Sequence, residues 1–581
     1  MFRRRSQAGI LLLALWSAGV LGGCTGLSVS PSARSEPPAA SEREVEAGSR
    51  ATYHLLLSLL KGQEGLRAEA LEEAKKAVGS APDSPYLRLI LAHQLAQAGE
   101  MDAARQEAVQ AVALREDDPR LHMALADILS ARKEGKEAAS HYERAVQLDP
   151  ANLEATLRLA NTHREGKGYD QAASVIEGYI RVRPADPMGP YYLARLYMEM
   201  KDVGKAVEAM KRALVLRPGF STALMDLGGL YEMGKQWDEA ISTYQQVLQS
   251  EPTNQRALAR LGQIYITRDQ FQEAAALFER LKAFNPTNGE VRLKIGLLYL
   301  ELKRYPEAIR EFQESIQRGF KVDQSRFYLA SALQEAGEAD RALEEFQKVP
   351  GGSDFYYEAL IHMGGILEKR DLSRAIRMIE EAQAKDPKEE ILVRYLARLY
   401  AKAKRFQEAI GLVQRALEGD PGSSKLHFAL GVVYDKAGQT DMTIKQMEKV
   451  IQLEPENADA LNYLGYTLAV LRIRLDEAER LVRRALELRP NDGYITDSLG
   501  WVYFGKNDLE AAIRELEKAA ELVPTDPIIL EHLGDALLKR GEGHRAMELY
   551  EKSLGLESEE RTESQKEELQ QKLRRLRQGT N

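Results

Sequence analysis

The chain has 581 residues, with 88 acidic side chains against 80 basic ones and a formal net charge of −8. No basic stripe of the kind that tracks a phosphate backbone is present, so nucleic acid is not an expected partner. A single cysteine rules out a disulfide framework, even in an oxidising compartment.

The amino terminus carries Arg3, Arg4 and Arg5, then the thirteen-residue apolar run "GILLLALWSAGVL", Gly9 to Leu21. That run is short of the ~20 residues a membrane span needs and has the length and flanks of a signal-peptide core. Gly22 and Gly23 follow, directly before Cys24, the sole thiol. "LGGC" resembles the lipobox of bacterial lipoproteins. The resemblance implies removal of residues 1–23 and acylation of Cys24. The plainer alternative is a secretory signal beside an incidental cysteine. Several acyl chains on one residue would make attachment nearly permanent, since each buried CH₂ contributes about 0.8 kcal/mol. Thr25 stands where an aspartate tends to retain such lipoproteins at the inner membrane, so the resemblance implies the outer membrane. No second apolar run approaches membrane length.

Residues 24–50 form the lipidated terminus and its tether. The stretch "TGLSVSPSARSEPPAASEREVEAGSR" is rich in Ser, Pro, Ala and Glu. It offers too little apolar surface to offset the entropy of ordering, and is expected to be a disordered leash. Its root-mean-square reach is roughly 25–30 Å.

Beyond the leash a period of 34 runs down the chain. Pro150, Pro184, Pro218, Pro252 and Pro286 mark it, with Pro387, Pro421, Pro455, Pro490 and Pro524 further on. In the unit 221–254, Leu227, Gly228 and Tyr231 share one helical face, and Ala240, Tyr244 and Val247 share another. Gly234 and Lys235 make the turn between them. These units resemble tetratricopeptide repeats over about residues 51–558. Position 8 is Gly, Ala or Ser in fifteen units, from Ser58 to Gly534, and position 20 is Ala in all but one, where Thr443 stands. Small residues at these two positions let paired helices approach closely. No pair can bury its stripe alone, so neighbours must stack. The fold expected is all-α, an α-solenoid of about fifteen helix pairs. The resemblance implies a right-handed superhelix.

Two places interrupt the period. Between Pro286 and Pro387 two units lack the terminal proline, and Pro350-Gly351-Gly352 stops a helix early. A weakened stacking interface is expected near 350–356, dividing an array 51–354 from an array 355–558. The turn in "LAVLRIRLDEA", residues 468–478, carries one extra residue. Residues 559–581 place Leu569, Leu573 and Leu576 on one stripe and read as a capping helix and tail.

No catalytic constellation has credible spacing. The nine histidines form no metal motif, and no nucleophile elbow or phosphate loop occurs. No enzyme, no cofactor and no metal site is expected. What remains is protein binding. The resemblance implies that first helices line the inner wall through positions 2, 5, 9, 12 and 13. In the last units these positions hold Phe428, Asn462, Tyr466, Tyr494, Asp497, Trp501 and Phe504. Exposed aromatics so clustered suggest a protein-binding groove; tighter packing between first helices is the competing reading. Earlier units instead present Arg120, Asp127, Arg164, Glu165, Arg195, Glu199 and Glu232, a mixed-charge wall expected to be plain solvated surface. Asn161 occupies a position used by carboxylate-clamp repeats, but the full clamp set is missing.

The block 458–504 resembles one in large repeat lipoproteins of proteobacteria, among them the outer-membrane adaptor of periplasmic carboxyl-terminal processing proteases. That resemblance implies an adaptor, with the protease and peptidoglycan hydrolases as protein partners. The alternative is an assembly factor for an envelope machine such as a pilus, a secretin or an exopolysaccharide exporter.

Overall fold

The computed structural model describes residues 42–556 and 563–579. Cys24, the apolar leader and most of the expected leash lie outside them. Among the described residues there are thirty-one helices and no strand, which is fifteen antiparallel pairs plus one terminal helix. The chain divides into two compact units at Thr243/Tyr244, inside the helix Trp237–Ser250.

From Glu42 to Leu216 each first helix packs on the second helix of its own pair, and each one after the opening helix packs on the second helix of the pair before it. The same holds in the later unit. The reason lies at the two small positions. The residues at position 20, from Ala70 through Ala138 and Ala274 to Ala546, are completely buried, as is the exceptional Thr443. In the first pair Ser58 occupies position 8, and its hydroxyl donates to the Ala70 carbonyl at 2.7 Å. Where position 8 is glycine, the space a methyl would need is already filled. A Cβ on Gly262, Gly296, Gly500 or Gly534 would lie 2.8, 2.6, 2.6 or 2.5 Å from Phe278, Phe312, Leu516 or Tyr550. Those large residues sit one turn beyond position 20. The small residue at 8 and the bulk at 24 are therefore one packing decision.

The turn inside all but one of the pairs holds a left-handed residue, the exception being the turn after Glu368. Gly65, Gly99, Gly337, Gly438 and Gly541 supply it in five pairs, but Lys133, Lys167, Lys201, Lys235, Lys303 and Lys404 supply it in six, and Asp269 and Asn507 in one each. In the irregular turn after Leu471, two residues, Arg472 and Arg474, take this conformation.

Three boundaries differ from the sequence expectation. The first helix begins at Glu42, so residues 42–50 belong to the fold and not to a leash. Pro38 is the last proline before it, and the Glu, Ala and Arg residues that follow are good helix formers. The division into units falls at Thr243/Tyr244 and not at 354/355. Near 350 the core continues instead of weakening. The helix Ala339–Gln347 is short, but Val349, Ala359 and Met363 join one core cluster with Phe327 and Phe346. Phe355 packs on Phe327 with centroids 5.2 Å apart, and His362 stacks on Phe346 at 5.3 Å. Aromatic bulk replaces the missing helical turn.

The terminal helix Glu563–Gly579 covers the last pair as expected, with Leu569 and Leu573 buried beside Leu537 and Tyr550. Lys572 fixes its register by bonding Asp535 at 2.9 Å.

Candidate protein-binding walls

The inner-wall residues of the later unit stand on the helices Ser424–Lys436, Ala458–Leu471, Gly493–Gly505 and Pro527–Arg540. Each helix is started by a capping side chain: Ser423, Asn457, Asp492 and Asp526 accept from backbone N–H groups of the first turn. Proline ends the preceding helix two or so residues earlier, so cap and stop together fix which side chains turn inward.

The structure gathers Tyr466, Asp497, Trp501 and Phe504 around a residue the sequence reading did not single out, His532. Its Nδ1 lies 2.9 and 3.0 Å from the two oxygens of Asp497, and both residues are buried. Trp501 stacks on the imidazole at 4.0 Å and on Phe504 at 4.6 Å, and Tyr466 lies 6.1 Å from the imidazole. The Lys539 ammonium sits 4.6 Å over the Phe504 ring. Burial opposes a charge on His532, but the Asp497 carboxylate, with Asp535 and Glu531 farther out, raises its pKa above the ordinary value. Burial also pushes the Tyr466 phenol up, and the Asp497 charge adds to this.

Phe428 lies apart from this group, edge-on to Tyr463 at 5.9 Å, and Tyr463 donates to Asp435 at 2.8 Å. Asn462 is half-buried, and its Oδ1 is enclosed without a hydrogen-bond partner. Tyr494 alone among the seven stands out in solvent, 58% exposed. Asp497 is committed to the imidazole. Four of the seven therefore form a packed cluster, Phe428 and Asn462 lie outside it, and Tyr494 is exposed. His532 occupies a position 6, away from the inward set, which is why the wall pattern passed over it. Its signal was the separation of 35 residues from Asp497, one repeat plus one.

The earlier unit holds the more open feature. Asn161 and Arg164 on the helix Leu153–Glu165 face Tyr192, Arg195 and Glu199 on the helix Met188–Glu199, around a recess of about 390 Å³ floored by Leu157. Arg164 bonds Glu199 through Nη1 at 2.9 and 3.2 Å, and also bonds the Asn161 amide oxygen. The Glu199 bond holds the Arg164 guanidinium above its ordinary pKa. Arg195 is exposed at the rim. A neighbouring recess of about 590 Å³ opens between Leu153, Arg158 and Asn161. The mixed-charge wall is thus shaped, with apolar floor and ionic rim, where the sequence suggested only solvated surface. Among the described residues no group of His, Cys, Asp or Glu could hold a metal ion, and no helix is long and apolar enough to cross a membrane.

Comparison with known families accounts for this architecture. Residues 89–152, 292–355, 367–424 and 428–493 match the family described as tetratricopeptide repeat, and a second repeat family of that description matches 129–196. Residues 500–541 match a TPR repeat, and 176–292 match the cytochrome c-type biogenesis protein H TPR domain. The chain is a tetratricopeptide-repeat protein. This repeat protein is 32% identical over 197 residues to the TPR repeat-containing protein PA4667 of Pseudomonas aeruginosa, covering 34% of this chain and 33% of that one. It is 27% identical over 178 residues to cellulose synthase operon protein C of Pseudomonas fluorescens, covering 29% of this chain and 14% of that one. The matches thus span a third or less of those relatives' own lengths. Among solved structures the yeast Tom70 aligns with a TM-score of 0.38 at 18% identity, covering 73% of this chain and 96% of that one.

Proposed function

We propose that this repeat protein is a non-enzymatic adaptor, held on the periplasmic side of the outer membrane through acylated Cys24. Its inner walls bind a carboxyl-terminal processing protease and the peptidoglycan hydrolases that protease degrades. The observation that carries the binding role is the recess beside Arg195. Leu157 on its floor and Asn161, Arg164, Arg195 and Glu199 on its rim stand at inward positions and not at the stacking positions 8, 20 and 24, so they are available to a ligand. A lipid anchor would raise the effective concentration of protease and substrate together.

Pull-down of the body from an envelope extract tests this reading. Recovery of a processing protease with cell-wall hydrolases is expected. Recovery of secretin or exporter subunits instead would replace the adaptor by the assembly factor, which the similarity to a protein named for a cellulose synthase operon favours. Within the adaptor reading, Arg195→Glu should lower protease capture by at least about tenfold and leave the melting curve unchanged. A Cys24→Ala chain should be released from membranes; retention would place the anchor elsewhere.

A further inference from the structure

Five of the helix pairs carry the same polar strap. A side chain on the first helix meets one nineteen residues later on the second. Four of these are His54 with Glu73, Arg88 with Glu107, Arg292 with Glu311 and His427 with Gln446, at 2.6–2.7 Å. In the fifth the two are His122 and His141, Nδ1 to Nδ1, 3.1 Å apart, with the rings stacked at 5.3 Å. The first-helix residue also holds the carbonyl six residues before it: Pro82 for Arg88, Glu116 for His122, Pro286 for Arg292 and Pro421 for His427. An arginine facing a glutamate keeps its strap in mild acid, and so does a histidine facing a carboxylate or an amide oxygen. The imidazole pair is different. The Glu116 carbonyl can only accept, so His122 carries its hydrogen on Nε2 and leaves Nδ1 bare. His141 then donates from its own Nδ1, and one hydrogen serves two nitrogens. An added proton can settle on His141 Nε2. A second would have to enter between the rings, where two N–H groups would face each other. It would also charge His122, which is 6% exposed.

We infer that the pair Pro119–Ala131 and Gly135–Leu148 is an acid-sensitive joint in the earlier unit, which mild acid loosens while the other four straps hold. Two imidazoles freed by local opening take up two protons below about pH 6.5, and the folded pair takes fewer. Opening is therefore favoured as pH falls. Burial, and then the facing His122, hold the His141 pKa below its ordinary value, while Glu137 pulls the other way. A group so depressed adds stability above its unfolded pKa and loses it as pH drops. The other charges around the pair do not reverse this. Glu137, one turn before His141, bonds Arg105 at 2.9 Å, and Arg144 stands one turn after. Glu107 of the preceding second helix is taken by Arg88, and Asp118 at the first-helix cap by Arg120. Arg115, Glu116 and Asp117 in the loop ahead are exposed, and the helix Leu153–Glu165 has uncharged Thr156 in the matching position. The joint stands next to the recesses of the wall. Tyr142 of the same pair donates to Asp127, and Asp127 lies 3.4 Å from Arg158, which lines the larger recess. Acid thus loosens the support of that wall, whatever the recess binds. The later unit answers in the opposite sense, because His532 faces a carboxylate.

Hydrogen–deuterium exchange of the chain from residue 24 onward tests this, read by mass spectrometry at about pH 7.5 and about pH 5 and corrected for intrinsic rates. Protection over residues 119–148 should fall about tenfold in acid, the effect of roughly one proton taken up on opening. The pair spanning residues 289–317, strapped by Arg292 and Glu311, should keep its protection. His141→Gln, which copies the strap of His427, should hold the protection seen at neutral pH and abolish the acid loss. His141→Glu, which copies that of His54, should turn the loss into a gain. Equal protection of residues 119–148 at both pH values overturns the inference, as does an equal loss over residues 289–317. So does an acid loss that survives both substitutions.

Discussion

The inner walls of the two units use the same positions of the same repeat for opposite ends. In the wall built on Leu153–Glu165 and Met188–Glu199, charged side chains pair at the rim and leave a recess. In the wall built on Gly493–Gly505 and Pro527–Arg540, aromatic side chains close over a buried histidine and carboxylate. An aromatic at an inward position is therefore no sure sign of a free contact surface. When the next first helix supplies a ring or an ion of its own, the aromatic is consumed by packing. Arginine and glutamate at the same positions keep their heads in water and leave space between them.

The sharpest contrast is energetic. Asp497→Ala strips the counter-charge from a buried imidazole and should cost about 3–5 kcal/mol. Guanidinium denaturation in a Trp237→Phe background reads this out, because Trp501 then reports the later unit alone in the chain without its leader. Gly500→Ala comes next. Its methyl would meet Leu516 under the aromatic cluster, for an expected cost of about 1–3 kcal/mol. The third effect is on pH. A group whose folded pKa is raised stabilises fully below its unfolded value, about 6.5 for histidine, and loses that contribution as pH climbs through the folded value. The later unit should therefore lose stability on going from mildly acidic to alkaline pH, and His532→Gln should flatten the slope. The smallest effect belongs to the other wall: Glu199→Ala releases a half-exposed ion pair and should cost less than about 1 kcal/mol. If Glu199→Ala and Asp497→Ala cost the same, the distinction between an open and a packed wall fails.

The repeat itself was legible because its rule is local and steric. Position 8 and position 20 cannot be large in any pair, so the period survives every change at the surface. The cap at the carboxyl end was legible for the same reason, through its three-leucine stripe. What the pattern hid were relations between pairs. His532 meets Asp497 only because successive first helices lie side by side, and the recess beside Arg195 exists only because Leu157 and Tyr192 come from different pairs. The segment near 350 misled through its Pro-Gly-Gly, which does stop a helix. Phe346, the bulky residue at position 24 of its pair, and Phe355, which lies outside the repeat positions, both pack on Phe327 and restore the contact. At the start, composition averaged a proline-rich stretch with the helix formers of residues 42–50 and so set the boundary too late.

The lysine-bearing turns carry a last consequence. A left-handed backbone at a non-glycine residue costs about 1 kcal/mol, and this chain accepts that penalty at Lys133, Lys167, Lys201, Lys235, Lys303 and Lys404 although glycine fills the same place elsewhere. The fold thus runs below its attainable thermal ceiling at six matched sites. That headroom lies outside both inner walls, where it can be recovered without disturbing recognition.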